Sequence, residues 1–132
     1  MIKLTKEEKD FIERVKPLFN KFLEMGKEVG SCVLSENDNV YHGVPFEHIR
    51  CIHGEENAIG AMLTEEGKNS KFRIILIVGS PKEIIMPCGI CREAIKRYGV
   101  ENATVLCANS SFSKIKKFTI SELYPHPYEG EL

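Results

Sequence analysis

Apolar residues at positions 11, 12, 15, 18, 19, 22 and 23 recur at helical spacing. Thr5 precedes this stretch as a capping residue, and Glu8, three positions on, completes a capping box. The spacing predicts a helix that starts at Lys6 and ends at Gly26. Pro17 lies inside it and predicts a kink or a split there. Residues 29–35 then fit a strand, Asn37-Asp38-Asn39 a turn, and residues 40–44 the returning strand of a hairpin. Residues 45–52 are expected to be irregular. Residues 54–64 fit a second helix, with Ala58, Ile59, Met62 and Leu63 on one side and Gly67 as its stop. Residues 73–78 form a continuous apolar run, as in a central strand covered on both faces. A short helix over 89–98, stopped by Gly99, a buried strand over 103–108 and a last strand over 114–120 follow. The alternation of strands and helices predicts an α/β fold of three layers, α/β/α, with a mixed central sheet of about five strands.

The chain of 132 residues fits a single domain spanning 1–132 with a real hydrophobic core. At 42% apolar and 28% charged residues its composition is that of a globular protein. A formal net charge of −1 does not favour nucleic acid as a partner. The apolar run over 74–79 is too short to cross a membrane. The opening MIKLTKEEKDF lacks an apolar signal region, so the expected location is the cytoplasm. Five cysteines, an odd number with one close pair, argue against a disulfide scaffold and for a metal clip or a redox pair.

That pair stands in Pro87-Cys88-Gly-Ile-Cys91-Arg92, just before a predicted helix. The spacing lets both sulfurs reach one ion from a helix start, where unpaired backbone N–H groups favour thiolates. His53-Gly-Glu55 also stands just before a predicted helix. His53, Cys88 and Cys91 make a three-ligand zinc set with a fourth position free for water, as in catalytic rather than structural sites. Glu55 is placed to act as general acid–base beside it. His-x-Glu followed by Pro-Cys-x-x-Cys is the signature of zinc nucleobase deaminases.

Taken alone, Cys-x-x-Cys also fits a redox pair or half of a structural zinc knot, whose last ligand would be Cys51 or Cys107. Cys51 competes with His53 as first ligand, but only His53 keeps the spacing to Glu55. Cys51 is therefore expected to be a pocket-wall or buried thiol, and Cys32 and Cys107, in apolar strands, core thiols.

These motifs resemble the cytidine deaminase family, with the small homotetrameric cytidine deaminases and the blasticidin S deaminases nearest in length. The resemblance covers most of the chain. It includes the hairpin of 29–33 and 38–44, the segments 53–59 and 85–93, and the ending at Ile120-Ser-Glu-Leu-Tyr-Pro and Tyr128-Glu-Gly. It implies a Zn2+-dependent hydrolase that takes a small nucleoside or base and releases ammonia. It also implies a homo-oligomer, tetramer or dimer. Glu47 would accept a sugar hydroxyl, and Phe46 and Tyr128 would wall or cover the base. The tail aromatic equally fits simple docking of the tail, and Arg92 a role in the fold or an oligomer interface.

The chain departs from the pattern of the small enzymes in two linked places. They carry Cys where this chain has His53, and Arg where it has Glu56. A His and two thiolates leave a zinc centre neutral, whereas three thiolates leave it negative, so the compensating cation is less needed here. Pro45 stands where the resemblance leads one to expect a ribose-binding Asn. A modified cytosine nucleoside such as blasticidin S therefore stays open beside cytidine and deoxycytidine. So do guanine or adenosine, and a zinc-binding structural protein of the same fold.

Overall fold

A computed structural model describes residues 3–26 and 29–130. Helix α1 spans Lys6–Glu24, strand β1 Gly30–Ser35, β2 Val40–Gly43, helix α2 Gly54–Glu66 and β3 Phe72–Val78. Helix α3 spans Gly89–Tyr98, β4 Gly99–Ala108, β5 Ile115–Thr119 and the short helix α4 Ile120–Leu123. The strands form one mixed sheet in the order β2-β1-β3-β4-β5. Only β3 and β4 pair in parallel; the other neighbours are antiparallel. No helix among the described residues is long and apolar enough to cross a membrane.

The capping box of α1 is present, with the Glu8 amide donating to Thr5 Oγ1 and the Thr5 amide to Glu8 Oε1. Of the kink or split expected at Pro17, the split does not occur: the helix is continuous. Pro17 and Glu13, the residue that loses its helical donor, are both exposed, so water can serve the freed carbonyl. Phe11, Ile12 and Val15 before the proline and Phe19 and Phe22 after it are buried. Their burial at about 1.5–3 kcal/mol each outweighs an interior-proline cost of about 3 kcal/mol.

Alternation along β3 supplies both layers. Ile74, Leu76 and Val78 pack with α1. Phe72, Ile75 and Ile77 pack with Ala58, Ile59 and Met62 of α2 and Ile95 of α3. Strand β4 starts at Gly99, earlier than expected, because a register shift between Phe72 and Ile74 accommodates the polar Glu101-Asn102. Helix α4 was not anticipated, although Thr119 and Glu122 form the same kind of capping box as Thr5 and Glu8.

Sheet direction decides where the helices begin. Strand β1 is antiparallel to both β2 and β3, so β2 and β3 run the same way. The chain leaves both at one end of the sheet, and α2 and α3 start there. Gly43 lets β2 come close to α2: a Cβ on it would lie 2.6 Å from the Ala58 nitrogen and 2.7 Å from the Gly54 oxygen.

Candidate metal centre

The two helix starts bring the sequence-predicted ligands together. His53 is the N-cap residue of α2 and Cys88 that of α3, both in extended backbone, and Cys91 lies in the first turn of α3. His53 Nδ1 is 3.2 Å from Cys88 Sγ and 3.3 Å from Cys91 Sγ. Among the described residues this is the one group of three His, Cys or acidic side chains whose ligating atoms converge, all within 4.8 Å of one another.

The donor set fits zinc. Bonds of ~2.0–2.1 Å to nitrogen and ~2.3 Å to sulfur place tetrahedral neighbours about 3.5 Å apart. Cys91 is fully buried, and burial, then the charges of Glu55 and Cys88, push its thiol up from its ordinary pKa. Such a thiol has little reason to ionise unless a cation takes the charge, and a divalent ion with two bound thiolates removes the conflict. Cys51 and Cys107 lie outside the set. A structural four-ligand knot built with either of them is therefore not what the chain folds into.

Glu55 follows His53 by two residues and lies in the first turn of α2, 7% exposed. Among carboxylates it has the largest effect on Cys91, and it also acts on Cys107, whose thiol burial holds at about 12. An acidic residue at a helix start is electrostatically favoured there.

The loop before His53 is closed by a pair of 3.0 Å hydrogen bonds between the backbones of Phe46 and Ile52. Glu47, His48, Ile49, Arg50 and Cys51 are thereby turned out into solvent. Cys51 has a φ of 56°, a left-handed backbone at the end of that excursion. Of the two expectations for it, a pocket-wall or a buried thiol, burial does not hold: Cys51 is exposed, because the chain reverses there before entering α2. Cys51→Ala should therefore leave zinc stoichiometry and turnover at the unmodified level, checked by metal analysis and an ammonia-release assay. Cys32 and Cys107 are core thiols as expected.

The expected substrate-binding residues are less gathered. Phe46 is 45% exposed and lies against the His48 ring, with centroids 5.7 Å apart. Glu47 is exposed. Tyr128 is 60% exposed, and its amide donates to the Tyr124 hydroxyl, which in turn donates to Glu93 Oε2 on α3. Arg92 ties the same region from inside: Nε donates to the Pro87 carbonyl at 2.8 Å and a terminal nitrogen to the Leu123 carbonyl at 3.0 Å. The tail is thus fastened to the helix that carries both cysteines, and these Arg92 contacts belong to the fold.

Sequence reasoning missed the contacts of three residues here. Glu56 Oε1 accepts the His53 amide at 3.1 Å, and Asn57 Nδ2 donates to the Val44 carbonyl at 3.2 Å. Ser31 is fully buried beneath Gly54, and its hydroxyl has no hydrogen-bond partner among the described residues. Only Glu56 left a signal, as an acid three residues after an N-cap position.

Known proteins are similar to this chain in the zinc-binding region and in fold. Residues 5–107 match the family model described as the cytidine and deoxycytidylate deaminase zinc-binding region. A cytidine deaminase of Sporosarcina psychrophila is 25% identical over 131 residues, covering 98% of this chain and 91% of the relative. In fold, the chain is similar to a cytidine deaminase from Burkholderia pseudomallei, with a TM-score of 0.75, 23% identity, and coverage of 95% of this chain and all of the other. It is also similar to a cytidine deaminase from Bacillus anthracis, with a TM-score of 0.68, 17% identity, and 89% coverage of each. The chain belongs to the cytidine and deoxycytidylate deaminase zinc-binding family. It is a zinc-dependent deaminase with the three-layer α/β/α fold of that family.

Proposed function

We propose that the chain hydrolyses the exocyclic C–N bond of a cytosine-like nucleoside, giving the uracil form and ammonia. The observation that carries this reading is the convergence of His53 Nδ1 on two sulfurs at 3.2 and 3.3 Å, with Glu55 buried two residues further on. His53, Cys88 and Cys91 would hold the metal. When bound, zinc lowers the pKa of water toward about 7 and so supplies a nucleophile near neutral pH.

Glu55 does the proton work. Its carboxylate takes a proton from the attacking water as the new C–O bond forms at the amino-bearing carbon. It passes that proton to the ring nitrogen, then takes the remaining proton from the newly added hydroxyl and gives it to the amine. The C–N bond breaks, ammonia leaves and the carbonyl forms. Phe46, Glu47 and Tyr128 are the proposed substrate-side residues, with Phe46 and Tyr128 covering the base and Glu47 accepting a sugar hydroxyl. The exposed position of Glu47 and the lack of polar side-chain atoms on Pro45 favour a modified nucleoside over plain cytidine.

A homo-oligomer, dimer or tetramer, fits the same reading. Ile49, in the loop that leads to His53, is 103% exposed, and Ile90, between the two cysteines, is 65% exposed. Covering them in an assembly would remove apolar surface from water. All five cysteines are free, which suits the cytoplasm, where thiols stay reduced.

An ammonia-release screen over cytidine, deoxycytidine, cytosine, blasticidin S, adenosine and guanine tests the substrate class. The expected result is turnover confined to cytosine nucleosides. Turnover of guanine or adenosine alone would replace this reading with purine deamination. Bound zinc without turnover of any of the six would support the structural alternative.

A further inference from the structure

We propose that Glu56 is a positioning residue for the metal ligand His53, acting through the backbone rather than on the metal. A zinc-bound histidine ordinarily gives its second ring nitrogen to a carboxylate, carbonyl or water, which fixes the ring. Here the ligating atom is Nδ1, and the remote Nε2 has no partner among the described residues. The ring is also held from its own main chain. Two bonds do so: the His53 amide donates to Glu56 Oε1 at 3.1 Å, and the His53 carbonyl accepts from the Asn57 amide at 3.0 Å. Nδ1 is the ring nitrogen nearer the backbone, so only two rotatable bonds separate it from the clamped N-cap residue. A rotation of the backbone at His53 therefore moves Nδ1 directly against two sulfurs at the start of α3, one exposed on Cys88 and one buried on Cys91.

The clamp also gives a reason for an acid where the small enzymes carry Arg. An arginine side chain can only donate, and the His53 amide needs an acceptor. A carboxylate in the first turn of α2 supplies it and also favours the positive end of the helix. Glu55 and Glu56 thus divide two tasks between adjacent acids. Glu55 is the buried one beside the cysteines, whereas Glu56 is half-buried and turned back to the cap.

This proposal rests on the zinc reading of His53, Cys88 and Cys91. The test is zinc affinity by competition with a chromophoric chelator, together with the visible spectrum of the cobalt-substituted protein. Both are measured for the unmodified chain, Glu56→Ala, Glu56→Gln and Thr5→Ala. Glu56→Ala should bind zinc about 10–100-fold more weakly and change the cobalt bands. Glu56→Gln keeps the acceptor oxygen and should stay within about threefold of the unmodified affinity by the same reasoning on the lost hydrogen bond. Thr5→Ala removes a comparable cap from α1, packed on the other face of the sheet, and should leave both readouts unchanged. If Glu56→Ala does not fold, Glu56→Ser, whose hydroxyl is too short to reach the cap amide, takes its place.

Unmodified affinity in the Ala or Ser variant would overturn the proposal. So would a loss in Glu56→Gln as large as in Glu56→Ala, since charge and not the hydrogen bond would then be at work. An unmodified chain that binds no zinc would instead overturn the zinc reading beneath it, a result visible before any variant is made.

Discussion

Glu55→Gln is expected to keep its zinc and lose turnover by at least about 10²–10⁴-fold, the usual worth of a positioned general acid–base group. Glutamine has the shape of glutamate and can still hydrogen-bond, but it cannot take a proton at neutral pH. The variant therefore separates proton transfer from folding and from metal binding. Metal analysis and single-turnover ammonia release are the two measurements. Zinc retention follows because Glu55 is outside the converging set of His53, Cys88 and Cys91. Turnover at the unmodified rate would remove Glu55 from the mechanism. Loss of zinc along with turnover would make Glu55 a ligand and not an acid–base group.

His53 carries the second large effect. His53→Ala leaves two thiolates for the metal and is expected to lose zinc and all measurable turnover, read by metal analysis after gel filtration. His53→Cys should behave differently. It supplies a third thiolate, retains zinc, and makes the centre more negative by one charge. Proton loss at a more negative site is harder, so the acid limb of the pH–rate profile should move to higher pH. Glu56 lies in the same helix turn and adds no compensating cation. Adding Glu56→Arg to His53→Cys should therefore move the limb back toward lower pH. No movement in either variant would break the link between ligand type and neighbouring charge.

The tail network bears on what the substrate meets. Tyr124 links Glu93 to the Tyr128 amide, and Arg92 links the carbonyl before Cys88 to the end of α4. Residues adjacent to Cys91 thus fasten the C-terminal segment on which a covering aromatic would ride. Arg92 secures the cysteine loop, and its neighbour Glu93, through Tyr124, holds the Tyr128 amide, so the cysteine loop and the tail are fastened from one helix turn.

Much of this was legible in the residues themselves. The helical period of α1 and the apolar run of β3 are local consequences of which side chains must leave water, so spacing alone reveals them. His53, Glu55, Cys88 and Cys91 are legible for a different reason: ligand chemistry requires fixed residue types at fixed short spacings. The absence of a split at Pro17 was not legible because a proline's cost depends on whether its face is exposed, which no local window contains. The exposure of Cys51 was not legible because it is set by the backbone pair between Phe46 and Ile52, a contact made across the loop. The capping role of Glu56 was written in its spacing, but two neighbouring acids look alike until one is seen turned to the cap and the other buried.

The sequence by itself determined most of the elements, the candidate ligands and the reaction class, since these rest on side-chain type and short-range period. Only the tertiary structure decided that the two ligand-bearing segments meet. They are 35 residues apart between His53 and Cys88. They converge because β2 and β3 run in the same direction and deliver α2 and α3 to one end of the sheet. Strand pairing is a long-range choice, and it places a nitrogen and two sulfurs around one point with a buried carboxylate in the first turn of α2.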